Sequence, residues 1–347
     1  MNRHSRNLPI NDQAAVSVRN LSKSFGRLRA VDDISLDVSR GELFGCIGPD
    51  GAGKTTLFRM LVTLLLPDGG DARVLGFDPV RDYAGLRRRV GYMPGRFSLY
   101  QDLTVEENLH FFASIFNTTV AENEHLIRDI YRQIAPFRTR RAADLSGGMK
   151  QKLALSCALI HKPEILFLDE PTTGVDAVSR REFWEMLGTL KAGGLTIIVA
   201  TPYMDEASRC DRIALMDRGR IMEVDTPAGI SASFDRDLFT VRADQRYALL
   251  KTLKTYENAR SVHTFGDRIH YTDRRERFDP AGLKSWLESQ GLSGVQVGKI
   301  QPGVEDAFMA LISRDDSVTA SRTTIADGDL NDRHGSHPQE PQRPENG

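Results

Sequence analysis

One octapeptide constrains this chain more than any other feature. Gly48-Pro49-Asp50-Gly51-Ala52-Gly53-Lys54-Thr55 fits G-x-x-x-x-G-K-[ST] and continues directly from the strand-like run "ELFGCIG". A strand that feeds a glycine-rich turn and then a helix is the local architecture of a phosphate cradle. The glycines let backbone N–H groups close on a phosphate, and the helix N-terminus adds its positive end. Lys54 is then placed to reach the β- and γ-phosphates of a nucleotide, and the Thr55 hydroxyl to ligate Mg²⁺. A chance glycine-rich turn is the competing explanation, and the agreement of pattern with context weighs against it.

The stretch "ILFLDE" supplies the complement. A short, wholly apolar run marks a central parallel strand covered on both faces. Asp169, at its carboxyl end, emerges where the phosphates sit. Asp169 would hold Mg²⁺ directly or through water, and Glu170 would polarise the attacking water as a general base. Between the two elements lies "LSGGMKQK" (Leu145–Lys152), a second helix start able to offer a hydroxyl and close N–H groups to phosphate. A plain helix cap is the alternative for this stretch.

With these elements in this order, residues of about 16–230 resemble the ATP-binding subunits of ABC transporters. The closer resemblance is to the drug-, haem- and polysaccharide-type exporter ATPases, through "GYMPGRFSLYQDLTVEENL" and "TPYMDEASRCDRIALM". The resemblance implies an α/β fold, a P-loop NTPase with a RecA-like core, an antiparallel β subdomain and an α-helical subdomain at about 96–160. It implies ATP and Mg²⁺ as cofactors, with Gly48 to Thr56 as the phosphate loop. Phe25 matches the aromatic that stacks on adenine, a strand-core role being the alternative. Ser146, Gly147 and Gly148 match the signature that reaches across a head-to-tail dimer to the partner's ATP. Asp176, in "TTGVD", matches the dimer-interface loop. The implied partners are integral-membrane permease subunits and a second ATPase chain, at the inner face of the cell membrane.

Two positions depart from that pattern. Gly95 stands where the family has a glutamine that touches Mg²⁺ and the attacking water. Pro202 stands where it has a histidine that contacts the γ-phosphate and fixes the catalytic glutamate. Neither replacement offers a side-chain hydrogen bond. Two expectations remain open here. The chain binds Mg·ATP but turns it over slowly as one half of an asymmetric pair with a complete ATPase, or Gly95 and Pro202 belong to a working variant in a homodimer. A non-hydrolysing nucleotide sensor and an ABC-type ATPase unconnected with transport are the other classes weighed.

The remainder of the chain is less specific. A net charge of −1 across 347 residues implies no general attraction to nucleic acid or anionic membrane. The start, "MNRHSRNLPINDQ", lacks the apolar core of a signal peptide, residues 1–15 read as flexible, and no apolar run approaches the ~20 residues of a membrane span. Cys46, Cys157 and Cys210 show no CxxC spacing and fit a reduced, cytoplasmic setting. Thr104 and Glu107 have capping-box spacing before a helix, and further helices are expected at about 122–134 and 179–191. Strands are expected at 72–77 and 89–93. Residues 231–313 read as a separate β-α-β-β-α-β module, the ferredoxin-like pattern. His263 and His270 fall on its neighbouring strands as surface residues, and no residue there suggests a ligand. Lys152, Arg180 and Arg87–Arg89 read as solvated faces. Phe97, Leu99 and Tyr100 are candidates for the groove that receives a permease. Residues 314–347, poor in apolar side chains, are expected to be disordered.

Overall fold

The computed structural model describes residues 10–96 and 98–313. The expectations for Phe97 and for 314–347 lie outside them, as does most of the proposed flexible N-terminus. Strands β1 (Val16–Phe25) and β2 (Leu28–Val38) form a hairpin, and β3 (Leu43–Ile47) enters the core with all five residues buried. Helix α1 (Lys54–Leu61) follows the glycine-rich loop. β4 (Gly69–Val74) pairs with β1, giving a three-stranded antiparallel sheet ordered β2-β1-β4. The strand expected over 72–77 is therefore shifted. Leu75 (φ 53°) and Gly76 (φ 84°) are left-handed and turn the chain back, which ends the strand at Val74.

After α2 (Tyr83–Arg87) and β5 (Val90–Met93) come three helices: α3 (Val105–Ile115), α4 (Val120–Ile134) and α5 (Gly147–Leu159). The Thr104–Glu107 capping box is present. A second one, Thr119–Glu122, starts α4 two residues before the expected position. Ile127, Ile130 and Ile134 then fall at helical spacing on its buried side.

β6 (Ile165–Asp169), α6 (Ala177–Ala192), β7 (Thr196–Thr201), β8 (Arg212–Asp217) and β9 (Arg220–Asp225) complete a six-stranded sheet ordered β5-β6-β7-β3-β8-β9. All its pairings are parallel except β8–β9. β6 and β7, like β3, are buried at every residue, as parallel strands between two layers must be. Since β7 separates β6 from β3, the loops leaving all three strands meet along one carboxyl edge, where open α/β sheets bind ligands.

Beyond α7 (Pro227–Ala232), strands β10 (Leu238–Arg242), β11 (Ala259–Phe265), β12 (Arg268–Asp273) and β13 (Gln296–Ile300) form an antiparallel sheet ordered β11-β12-β10-β13. With α8 (Arg246–Thr255) and α9 (Pro280–Ser289) this is the split β-α-β arrangement of ferredoxin-like sandwiches. Its own apolar core contains Leu249, Leu253, Tyr271, Leu283 and Leu287. Removing Leu287 to alanine should destabilise the module by about 2–5 kcal/mol. Amide exchange should then accelerate in β10–β13 and not in β3, β6 or β7. Equal acceleration in both sheets would mean that the two cores unfold as one.

A last helix, α10 (304–313), packs Ala307 and Phe308 into the core of the six-stranded domain. His270 is tied to it, Nδ1 lying 2.6 Å from Asp306 Oδ1, with the imidazole stacked on Phe265. His270 is thus a partly buried link rather than an ordinary surface residue.

Candidate nucleotide site

The glycine-rich loop is pressed between two other segments. A Cβ at Gly48 would stand 2.1 Å from the Met216 carbonyl oxygen at the end of β8, and one at Gly53 would stand 2.2 Å from the Ala30 carbonyl oxygen in β2. Gly53 also has φ 101° as the residue preceding α1. Only glycine satisfies both constraints. Gly53→Ala should introduce about 1–3 kcal/mol of backbone strain and weaken Mg·ATP binding about 5- to 150-fold. A fluorescent-nucleotide titration reads this directly, and unchanged affinity would show that the loop closes on phosphate without needing this geometry.

Lys54 opens α1 almost fully buried, its ammonium donating to the carbonyl oxygens of Gly48 (2.7 Å) and Pro49 (2.9 Å). Burial pulls its pKa below the usual lysine value, while Glu170, Asp50 and Asp169 oppose the shift. The Thr55 hydroxyl donates to Asp169 Oδ1 at 3.0 Å. Burial raises the Asp169 carboxyl above its ordinary range. A hydroxyl and a carboxylate oxygen this close form a hard-oxygen donor set suited to Mg²⁺, whose charge would favour the ionised carboxylate. Tyr92, which sequence reasoning did not single out, stands beside Asp169 with its phenol pushed up to about 12, chiefly by burial.

Glu170, the first residue past β6, is left-handed at φ 50° and donates its N–H to the Ala200 carbonyl in β7 (2.8 Å). Such a conformation costs a non-glycine residue about 1–3 kcal/mol and collects at functional sites. Gly95 lies against this turn, since a Cβ built on it would be 3.1 Å from Asp169 O and 3.6 Å from Glu170 Cβ. Pro202 follows the end of β7 on the other side. Lys54, Thr55, Gly95, Asp169, Glu170 and Pro202 therefore gather at one edge. Asp50 and Gly51 are exposed on the loop, Pro49 and Thr56 partly buried, and Ala52 buried. Phe25 is 49% exposed at the tip of the β1–β2 hairpin, which removes the strand-core alternative.

Ser146 to Gly148 have different neighbours. Ser146 caps α5 by accepting from Met149 N, and Cβ atoms on Gly147 and Gly148 would meet Gly174 O (3.1 Å) and Ser179 Oγ (2.6 Å). Asp176 caps α6, its Oδ1 accepting from Val178 N and Ser179 N. Arg180 is not a solvated face, because its guanidinium lies 4.5 Å over the Tyr203 ring and 3.5 Å from Asp205. Lys152 likewise pairs with Glu182 at 2.7 Å, whereas Arg87–Arg89 are exposed. Leu99 is buried in the core and Tyr100 half exposed. Sequence reasoning also missed a buried cluster of Thr172, Thr201 and Glu206, which no local motif announces.

A P-loop ATPase in which a helical subdomain carrying an LSGG-type helix start is inserted between the two nucleotide-binding strands is an ATP-binding cassette. The family model for ABC transporters matches residues 31–173. The chain is 43% identical over 230 residues to "Probable multidrug ABC transporter ATP-binding protein YbhF" of Escherichia coli (strain K12), covering 65% of this chain. It spans only 39% of that relative's length. It is 35% identical over 306 residues to "Nod factor export ATP-binding protein I" of Sinorhizobium fredii (strain NBRC 101917 / NGR234), covering 87% of each. A solved ATP-binding subunit of an ABC transporter has a TM-score of 0.58 at 29% identity, over 63% of this chain and 93% of that one. The chain belongs to the ABC transporter ATP-binding protein family.

Proposed function

We propose that this chain is the ATPase subunit that energises an integral-membrane exporter from the cytoplasmic face, and that it forms the degenerate half of an asymmetric ATPase pair. The names of the relatives, one for multidrug transport and one for Nod factor export, support the export direction. No helix among the described residues is long and apolar enough to cross a membrane, and this reading assigns the translocation path to other subunits. The observation that carries the asymmetric reading is the edge of the site. Lys54 and the Thr55–Asp169 pair are in place, while the two positions flanking Glu170 are Gly95 and Pro202.

ATP, when bound with Mg²⁺, supplies a γ-phosphoryl group open to attack by water, with the β–γ phosphoanhydride bond breaking and ADP as the leaving group. Lys54 and the backbone of 48–56 would hold the phosphates, Thr55 and Asp169 would hold the cation, and Phe25 would offer its exposed ring to the base. Glu170 takes the proton of the water. With no side-chain donor at 95 or 202, that water is held less firmly, and turnover in this pocket is slow. Ser146–Gly148 complete the pocket of a second chain that carries its own glutamine and histidine, and Asp176 fixes the loop at their junction. The test is to solubilise membranes gently and identify what copurifies with the tagged chain. A permease with a different, complete ATPase supports the pair. A permease with this chain as the only ATPase removes it and makes Gly95 and Pro202 part of a working site.

A further inference from the structure

We propose that Glu206 is a positioning residue for Glu170, acting through Thr172; this rests on the assignment of Glu170 as the base. Glu206 is 2% exposed, and both of its oxygens are engaged. Thr172 Oγ1 donates to Oε1 at 2.7 Å, and Thr201 Oγ1 donates to Oε2 at 2.6 Å. Tyr203 N in turn donates to Thr201 Oγ1 at 3.1 Å. The carboxylate thereby joins the loop that leaves β6 to the loop that leaves β7. Pro202, between Thr201 and Tyr203, has no side-chain group with which to make that connection.

Glu170 needs such a brace. Its backbone is left-handed, and the one side-chain hydrogen bond it makes among the described residues is long, 3.5 Å from Thr173 Oγ1. Relaxing φ toward the ordinary region requires the turn 170–175 to move, because Thr173 N bonds Glu170 O and Val175 N bonds Thr172 O. Thr172 lies in that turn at 1% exposure, pinned by a buried acceptor. Breaking the pin leaves buried polar groups without partners, so the network holds one arrangement. The Arg180 guanidinium, 3.8 Å from Glu206 Oε1, offsets the buried charge.

The test uses the full chain in its membrane complex, with any second ATPase chain inactivated at its own pocket, and with Thr172→Val, Thr172→Ser and Glu206→Gln each made alone and combined with Glu170→Gln. Steady-state turnover and nucleotide affinity are measured for each. Thr172→Val and Glu206→Gln should lower kcat about 10- to 100-fold with KM unchanged, as for a misplaced catalytic group. Thr172→Ser, which keeps the hydroxyl, should restore it, and neither loss should appear once Glu170 is glutamine. Wild-type kcat in Thr172→Val, or an equal fall in the Glu170→Gln background, overturns the proposal. Equal turnover by wild type and Glu170→Gln removes Glu170 as the base, and the brace with it.

Discussion

Glu170→Gln should lower ATP turnover in this chain's own pocket, made the only competent one, about 10²–10⁴-fold while nucleotide affinity is retained. Glutamine preserves the shape of the side chain and the backbone bond to Ala200, so the turn after β6 keeps its form. What is lost is the capacity to accept a proton. The groups assigned to binding lie elsewhere, on Lys54 and on the Thr55–Asp169 pair. Phosphate release under single-turnover conditions, beside a calorimetric titration of Mg·ATP, separates the two effects. Turnover equal to wild type would place the base on another residue.

The second large effect runs in the opposite direction. Gly95→Gln combined with Pro202→His should raise turnover in this chain's own pocket about 10²-fold, the scale on which an orienting or proton-transferring group acts. The backbone at Gly95 is not left-handed, and its Cβ would approach Asp169 O to 3.1 Å, which a shift of a few tenths of an ångström relieves. A glutamine there projects beside Glu170. A histidine at 202 stands at the end of β7, where Ala200 is in register with Asp169 of β6. The loss of proline's rigidity should cost about 0.4–1 kcal/mol of stability. The observable is phosphate release by the chain with its own pocket as the only competent one. An unchanged rate at undiminished affinity refutes the degenerate-site reading and leaves Gly95 and Pro202 as members of a functioning variant.

Much of the architecture can be read from contiguous stretches because the forces that write it are local. A wholly apolar run such as Ile165–Leu168 fits only a strand covered on both faces. Thr104 and Glu107 cap a helix through groups three residues apart. The left-handed Leu75 that ends β4 early carried no such signal, since leucine is a poor marker of that conformation. The Thr119–Glu122 capping box lies upstream of the apolar spacing of α4, so the helix begins two residues before that spacing alone suggests.

The site divides along the same line. The glycines, Lys54, Thr55 and the Asp169–Glu170 pair were legible because each lies in a short motif whose chemistry dictates its residue types. Their meeting at one edge was already implied by two strand-ending motifs in a parallel sheet. Sequence by itself determined the class of fold, and the resemblance it carries set the expectations of ATP as ligand and of departures at Gly95 and Pro202. Only tertiary structure decided that Phe25 is exposed, that Arg180 packs on Tyr203 and that Glu206 joins Thr172 to Thr201. Those contacts arise where β6 and β7 lie side by side, and a carboxylate or guanidinium in the sequence does not show whether packing will dry it.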